Sequence, residues 1–133
     1  MKYLCLLHLE EKKLAALTAA DQERLMAECA AYNEELRKGG HYVASNALEA
    51  ADTATILRVR GANVTITDGP YAETKEQLGG YLLMEARDLN EALHLAARLP
   101  PGRLGSIEVR PVKEAKPPSA SRKRATAASG SAA

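Results

Sequence analysis

Asp68, Glu73, Lys75 and Glu76 all lie in one short run, Asp68-Gly69-Pro70-Tyr71-Ala72-Glu73-Thr74-Lys75-Glu76-Gln77-Leu78-Gly79-Gly80-Tyr81. Carboxylates gathered beside a cation can do acid–base chemistry if the site removes them from water, so Asp68 and Glu73 are the catalytic candidates. Each has a plainer role. Asp before Gly is favoured at turns because its carboxylate bonds nearby backbone N–H groups. Glu73, Lys75 and Glu76 together also make a solvated loop of mutual ion pairs.

Five further residues are candidates for holding a ligand. Arg58 and Arg60 share a strand face and can fork onto a carboxylate or phosphate, or neutralise Asp68, Glu73 or Glu76. Lys75 adds a cation to the loop. Tyr71 brackets the loop with Tyr81, either pinning a ligand or packing in the core with a bonded hydroxyl. His8 closes an apolar run at the expected pocket mouth, whereas His41 and His94 read as exposed. Three scattered histidines give no metal-ligand spacing, and no nucleophile pair, P-loop or dinucleotide fingerprint is present. No cofactor is expected.

Composition narrows the classes. The 133 residues suit one domain, and 46% are hydrophobic, yet Phe and Trp are absent and five Tyr are the only aromatics. The core must be aliphatic, and no stacking platform for single strands is available. Net charge is +1, but residues 114–133 hold four basic side chains against Glu114, leaving the body at about −2. A mildly acidic body is a poor partner for a polyanion. The isolated Cys5 and Cys29 read as buried thiols, and no signal or membrane-length run is found, so a cytoplasmic protein is expected.

The elements that must position these residues follow from pattern. Tyr3 to Leu7 is apolar at every position, a strand buried on both faces. Glu10 to Lys13 reads as a solvated connector, with a short helical turn through residues 14–17. Thr18-x-x-Asp21 opens a long helix with the stripe Leu25, Cys29, Tyr32 and Leu36, stopped by Gly39-Gly40. A strand over 41–48 precedes a hairpin, Thr53 to Arg60 and Val64 to Thr67, turned at Gly61-Ala62-Asn63. The strand from Tyr81 to Met84 is again apolar on both faces. Asp88-x-x-Glu91 opens a second helix with the stripe Leu89, Ala92, Leu93, Ala96 and Leu99. Pro100-Pro101 ends it, and Ser106 to Arg110 is the last strand. This order is a ferredoxin-like split βαβ with an extra hairpin, an α+β domain over 1–113, followed by a disordered basic tail over 114–133. Two strands apolar on both faces need a second cover, and a second copy supplies it most simply.

The run from Asp68 to Tyr81 resembles the signature of the DGPF branch of YCII-related proteins, with Tyr71 where that motif has Phe. Thr53-Ala54-Thr55-Ile56-Leu57-Arg58-Val59-Arg60 and Gly105-Ser106-Ile107-Glu108-Val109-Arg110-Pro111-Val112 agree with it. The resemblance covers about residues 1–113. It implies a ferredoxin-like dimeric α/β barrel, a bacterial homodimer of largely unassigned activity. The wider superfamily includes proteins with a proposed catalytic His–Asp pair and a cofactor-free dehydrochlorinase-like enzyme. Its proposed histidine sits near the start of the first long helix, and residues 18–31 contain none. Members of the branch are often encoded near sigma factors.

Two functions are therefore expected. One is binding of a small, anionic metabolite in a pocket at the 68–76 loop with Arg58 and Arg60, with cofactor-free acid–base chemistry open to it. The other is a non-enzymatic module serving a sigma-factor-related partner.

Overall fold

The structure, a computed structural model, describes residues 1–115. The basic tail from Lys116 onward lies outside the described residues.

Strand β1 (Lys2–Glu10) leads into a short helix α1 (Glu11–Ala15) and the long helix α2 (Ala19–Lys38). Residues 11–15 are helical rather than a loose connector, because Glu, Lys, Leu and Ala are all good helix formers. At α2 the Asp21 N–H donates to Thr18 Oγ1 at 3.1 Å. Only this half of the capping box forms, since the Asp21 carboxylate takes Arg24 instead, at 3.0 Å. Strand β2 (Tyr42–Ala47), a 3₁₀ turn at Ala51–Thr53, and strands β3 (Thr55–Arg60) and β4 (Asn63–Asp68) follow. The chain closes with β5 (Glu76–Glu85), α3 (Leu89–Ala96), a 3₁₀ turn at Pro100–Leu104, and β6 (Gly105–Pro111). Asp88 caps α3, its carboxylate accepting the Glu91 N–H at 2.8 Å.

Four strands form one antiparallel sheet in the order β2-β5-β1-β6, and β3 with β4 forms a separate two-stranded hairpin. The sheet has the split βαβ order expected from the sequence, a ferredoxin-like α+β fold. The hairpin pairs Arg60 with Asn63, so its loop is Gly61-Ala62. Gly61 takes a φ of 60°, which the first position of a tight II′ turn requires.

Alternation along β1 decides where the core lies. Tyr3, Cys5, Leu7 and Leu9 are buried and join Leu82, Met84, Tyr32, Leu36, Ala92, Ala96 and Leu99 in one cluster under the helices. The Tyr32 hydroxyl fastens α2 to α3 by donating to the Leu95 carbonyl at 2.6 Å. The opposite set, Leu4, Leu6, Tyr81 and Leu83, is only half-buried. The two-faced burial expected for β1 and β5 is thus met on one face alone, and the other face is left open by the described residues. Two stripe assignments also change. Leu89 and Leu93 of α3 are 48% and 47% exposed, because a helix of eight residues presents only Ala92 and Ala96 squarely to the sheet. No helix among the described residues is long and apolar enough to cross a membrane.

Leu36, 1% exposed, should therefore cost about 2–5 kcal/mol when cut to Ala. Leu93→Ala should cost under about 1 kcal/mol. Urea denaturation of both variants checks this, and equal losses would contradict the assignment of α3's buried face.

Candidate functional site

Two concavities flank the end of β1. The first lies where the sequence expected a site. It is a polar cleft of about 600 Å³ walled by Glu10, Glu11, Lys12, Asp52, Glu73 and Lys75, with Gly69, Pro70 and Thr74 from the loop. The loop is held from within. Gln77 Nε2 donates to the Ala72 carbonyl at 2.8 Å and to the Thr74 carbonyl at 3.2 Å. Thr74 Oγ1 donates to the Glu76 carbonyl. Its start is pinned by the Gly69 N–H on the Ala54 carbonyl at 2.7 Å, and elsewhere on the cleft wall the Ala51 N–H donates to Glu11 Oε2 at 2.8 Å. Lys75 meets Glu10 at 3.5 Å, and Lys13 meets the other Glu10 oxygen at 3.3 Å. Partial burial pushes the Glu10 carboxyl up, but Lys13 and Lys75 outweigh it and hold its pKa below the ordinary carboxylate value.

The cleft does not suit the anionic ligand that was expected. Four carboxylates face two lysines on its wall, a balance of −2, and Lys75 is already paired with Glu10. Nor do the loop's charges pair as expected, since Lys75 turns to Glu10 rather than to Glu73 or Glu76. Glu73 lines the cleft but is exposed, so the desolvation its catalytic role needs is missing. Asp68 is exposed at the end of β4, opposite Thr55, and lines neither concavity. The turn's anchor is the Gly69 N–H rather than the Asp68 carboxylate. Tyr71 is 80% exposed, neither packed nor clamping.

Arg58 and Arg60 stand on the hairpin away from both concavities. Arg58 reaches Thr67 Oγ1 at 3.5 Å and Arg60 the Val59 carbonyl at 3.1 Å, and neither pairs with Asp68, Glu73 or Glu76. His8 is likewise away from either mouth. It points to the uncovered sheet face, where Nε2 meets Glu108 Oε1 at 2.9 Å. His41 is half-buried rather than exposed, its Nδ1 bonding the Glu85 carbonyl at 2.8 Å. Among the described residues no His, Cys, Asp and Glu cluster is arranged to hold a metal ion.

The second concavity lies between α2 and the sheet, about 480 Å³ in volume. Its walls are Leu7, Leu9 and Leu82 from the sheet, Leu25 and Met26 from α2, and Leu99 with Pro100 and Pro101. Leu25 and Cys29 continue the stripe of Tyr32 and Leu36, yet they are only half-buried because the helix stands off the sheet here. The floor is a β-bulge: Leu7 pairs with Gly80 and His8 with Leu78, leaving Gly79 unmatched. A Cβ on Gly80 would sit 3.1 Å from the Asn46 carbonyl, so glycine lets β2 and β5 approach. Asn33 Nδ2 donates to Ser45 Oγ at 3.4 Å, and the Tyr42 hydroxyl lies 2.9 Å from the same oxygen. Asn33 and Ser45 line the cavity together with Asn46 and Tyr81 in a largely aliphatic wall, and Tyr42 is not part of the lining. Cys29 contributes a thiol whose pKa is raised by burial and then by the charge of Glu28. It stays protonated at neutral pH and is a poor nucleophile. Cys5, buried in the core, is pushed up to about 11.

The YCII-related domain model matches residues 1–116. This chain belongs to the YCII-related family. An uncharacterised protein of Rhizobium meliloti (strain 1021) is 34% identical over 119 residues, spanning 88% of this chain and 96% of that protein. Among solved structures, 5-chloro-2-hydroxyhydroquinone dehydrochlorinase (TftG) from Burkholderia phenoliruptrix AC1100, in complex with 2,5-dihydroxybenzoquinone, is similar with a TM-score of 0.51. That likeness is at 17% identity and covers 86% of this chain and 96% of the neighbour. At that identity the likeness bears on the fold.

Sequence reasoning missed Glu10, Gln77, Asn33, Ser45 and Glu108. Asn33 alone carried a signal, lying four residues after Cys29 and three before Leu36 on the apolar stripe.

Glu10 gives a pH test. Its folded value lies below its unfolded one, so the stabilisation is complete above the ordinary Glu value of about 4.3 and is lost as pH falls through the folded value. Urea unfolding at pH 7 and pH 3 should show Glu10→Gln losing less stability on acidification than the parent. Identical losses would contradict the tether.

Proposed function

We propose that this YCII-related protein binds a small, largely apolar ring compound carrying hydroxyl or carbonyl oxygen in the cavity between α2 and the sheet. The observation that carries the proposal is the cavity itself. About 480 Å³ of space falls within the roughly 300–1,000 Å³ of ordinary ligand sites, which are apolar with a few placed polar groups. Aliphatic walls favour a neutral ring. Asn33 and Ser45 supply the donors and acceptors that orient its oxygen. The structural neighbour holds dihydroxybenzoquinone, a ligand of this size class, which supports the reading without assigning a reaction here.

Acid–base turnover by Asp68 or Glu73 receives no support from their exposed positions, so binding is the activity proposed. The protein acts as a homodimer in this reading, because Leu4, Leu6 and Leu83 line an uncovered sheet face that a second sheet would bury. The alternative is a non-enzymatic module serving a sigma-factor-related partner. It is favoured by one observation, the absence of histidine from residues 18–31.

A thermal-shift screen of the full chain against neutral phenols, hydroquinones and carboxylates separates these readings. A ring compound at a hundred times its Kd should add about 2.7 kcal/mol. Ala30→Leu, which narrows the cavity from its α2 wall, should abolish the shift. The same compound should slow alkylation of Cys29. No shift across the panel, or a shift that survives Ala30→Leu with Cys29 unprotected, would sink the cavity reading. Capture of a sigma-factor-related protein would then favour the alternative.

A further inference from the structure

The hairpin presents an apolar face that none of the described residues covers. Leu57 pairs with Ile66 and Val59 with Val64, and directly opposed residues share a face. These four side chains are 59%, 68%, 55% and 56% exposed. The opposite face carries Arg58, Arg60, Asn63, Thr65 and Thr67, with Ile56 half-buried at its base. From Leu57 to Arg60 and from Asn63 to Ile66 this alternation is the pattern of a strand pair with one buried side. An isolated two-stranded hairpin is marginal at best in water, so this conformation needs a partner surface. The chain beyond the described residues cannot supply it, because residues 116–133 contain no Val, Ile, Leu, Met or aromatic side chain.

We propose that the hairpin is an arm whose face of Leu57, Val59, Val64 and Ile66 lies on a second copy of this chain, extending the sheet-to-sheet interface. This rests on the homodimer reading above and adds a second contact to it. Area argues for that occupant. The four sheet strands have 9, 6, 10 and 7 residues. At ~3.3 Å per residue and ~4.8 Å between strands, their face spans roughly 500 Å². A stable interface buries about 800 Å² per partner. The two six-residue hairpin strands add roughly 200 Å² on the same spacings, closing most of the difference. Geometry agrees, because the hairpin leaves the body between Ala54 and Gly69, which are joined by a backbone bond, at the end of the sheet where β5 begins. A second copy also satisfies closure: each subunit offers one arm and receives one, as a two-fold interface requires.

The test is sedimentation of the full chain over a concentration range, for the parent, Ile66→Asp, Leu6→Asp and Arg58→Ser, with circular dichroism to confirm folding. The parent should be a dimer. Ile66→Asp should raise the dimer Kd by about 100-fold, the scale of an interface hot spot. Arg58→Ser, on the other hairpin face, should leave it unchanged. Hydrogen exchange of the parent alone gives a second measurement, independent of whether a variant folds: amides of residues 55–68 should be protected in the dimer and lose protection on dilution. If Leu6→Asp dissociates the dimer but Ile66→Asp does not, the sheet-face dimer stands and the arm is refuted. Hairpin exchange that ignores concentration also refutes the arm. A monomeric parent overturns both.

Discussion

Strand β1 lies inside the sheet with every side chain from Tyr3 to Leu9 apolar except His8. A strand has two faces, and one protein of this size has only enough helix to cover one of them. Everything else follows from how that conflict is met. The face with Tyr3, Cys5, Leu7 and Leu9 is covered by α2 and α3 and becomes the core. The face with Leu4 and Leu6 is left half-buried by the described residues. Where α2 stands off the sheet over the Gly79 bulge, the cover is incomplete and a cavity opens. Core, cavity and open sheet face are three consequences of one strand.

Local signals in the sequence were sufficient for the two long helices, the hairpin and the order of the strands, but not for α1 or for the start of β5 at Glu76. Thr18 and Asp88 mark helix starts because a cap depends on three or four neighbouring residues. Gly61 marks the hairpin because a positive φ is a local demand. The ferredoxin-like order followed from counting those elements. The site was less legible, because its properties depend on distances between elements. Leu25 and Cys29 read as ordinary core positions, and only the gap under α2 makes them walls. Asp68, Glu73, Lys75 and Glu76 are dense in sequence, but density says nothing of burial. In space Asp68, Glu73 and Lys75 are exposed and Glu76 is half-buried at the start of β5, with Lys75 drawn to Glu10, some 65 residues earlier in the chain. Arg58 and Arg60 share a strand face as alternation requires, but that strand belongs to a hairpin set apart from the sheet.

The chemistry on offer is correspondingly quiet. The cavity holds hydroxyl, amide and protonated thiol groups among aliphatic ones. Such a surface recognises shape and a few hydrogen bonds, and it lacks the desolvated acid–base pair that proton transfer calls for. The polar cleft has the charges but keeps them wet and largely committed to holding the loop. Apolar space and charge are thus divided between two concavities on either side of one strand end, Leu9 facing one and Glu10 the other.

The central claim is that the ligand site is the cavity under α2 and not the charged loop. An NMR titration of the full chain with hydroquinone, followed at the backbone amides, tests it most directly. The account predicts shift changes clustered at residues 25–33 and 79–82, with residues 69–77 unmoved. Changes clustered in 69–77, or none at millimolar ligand, would contradict it.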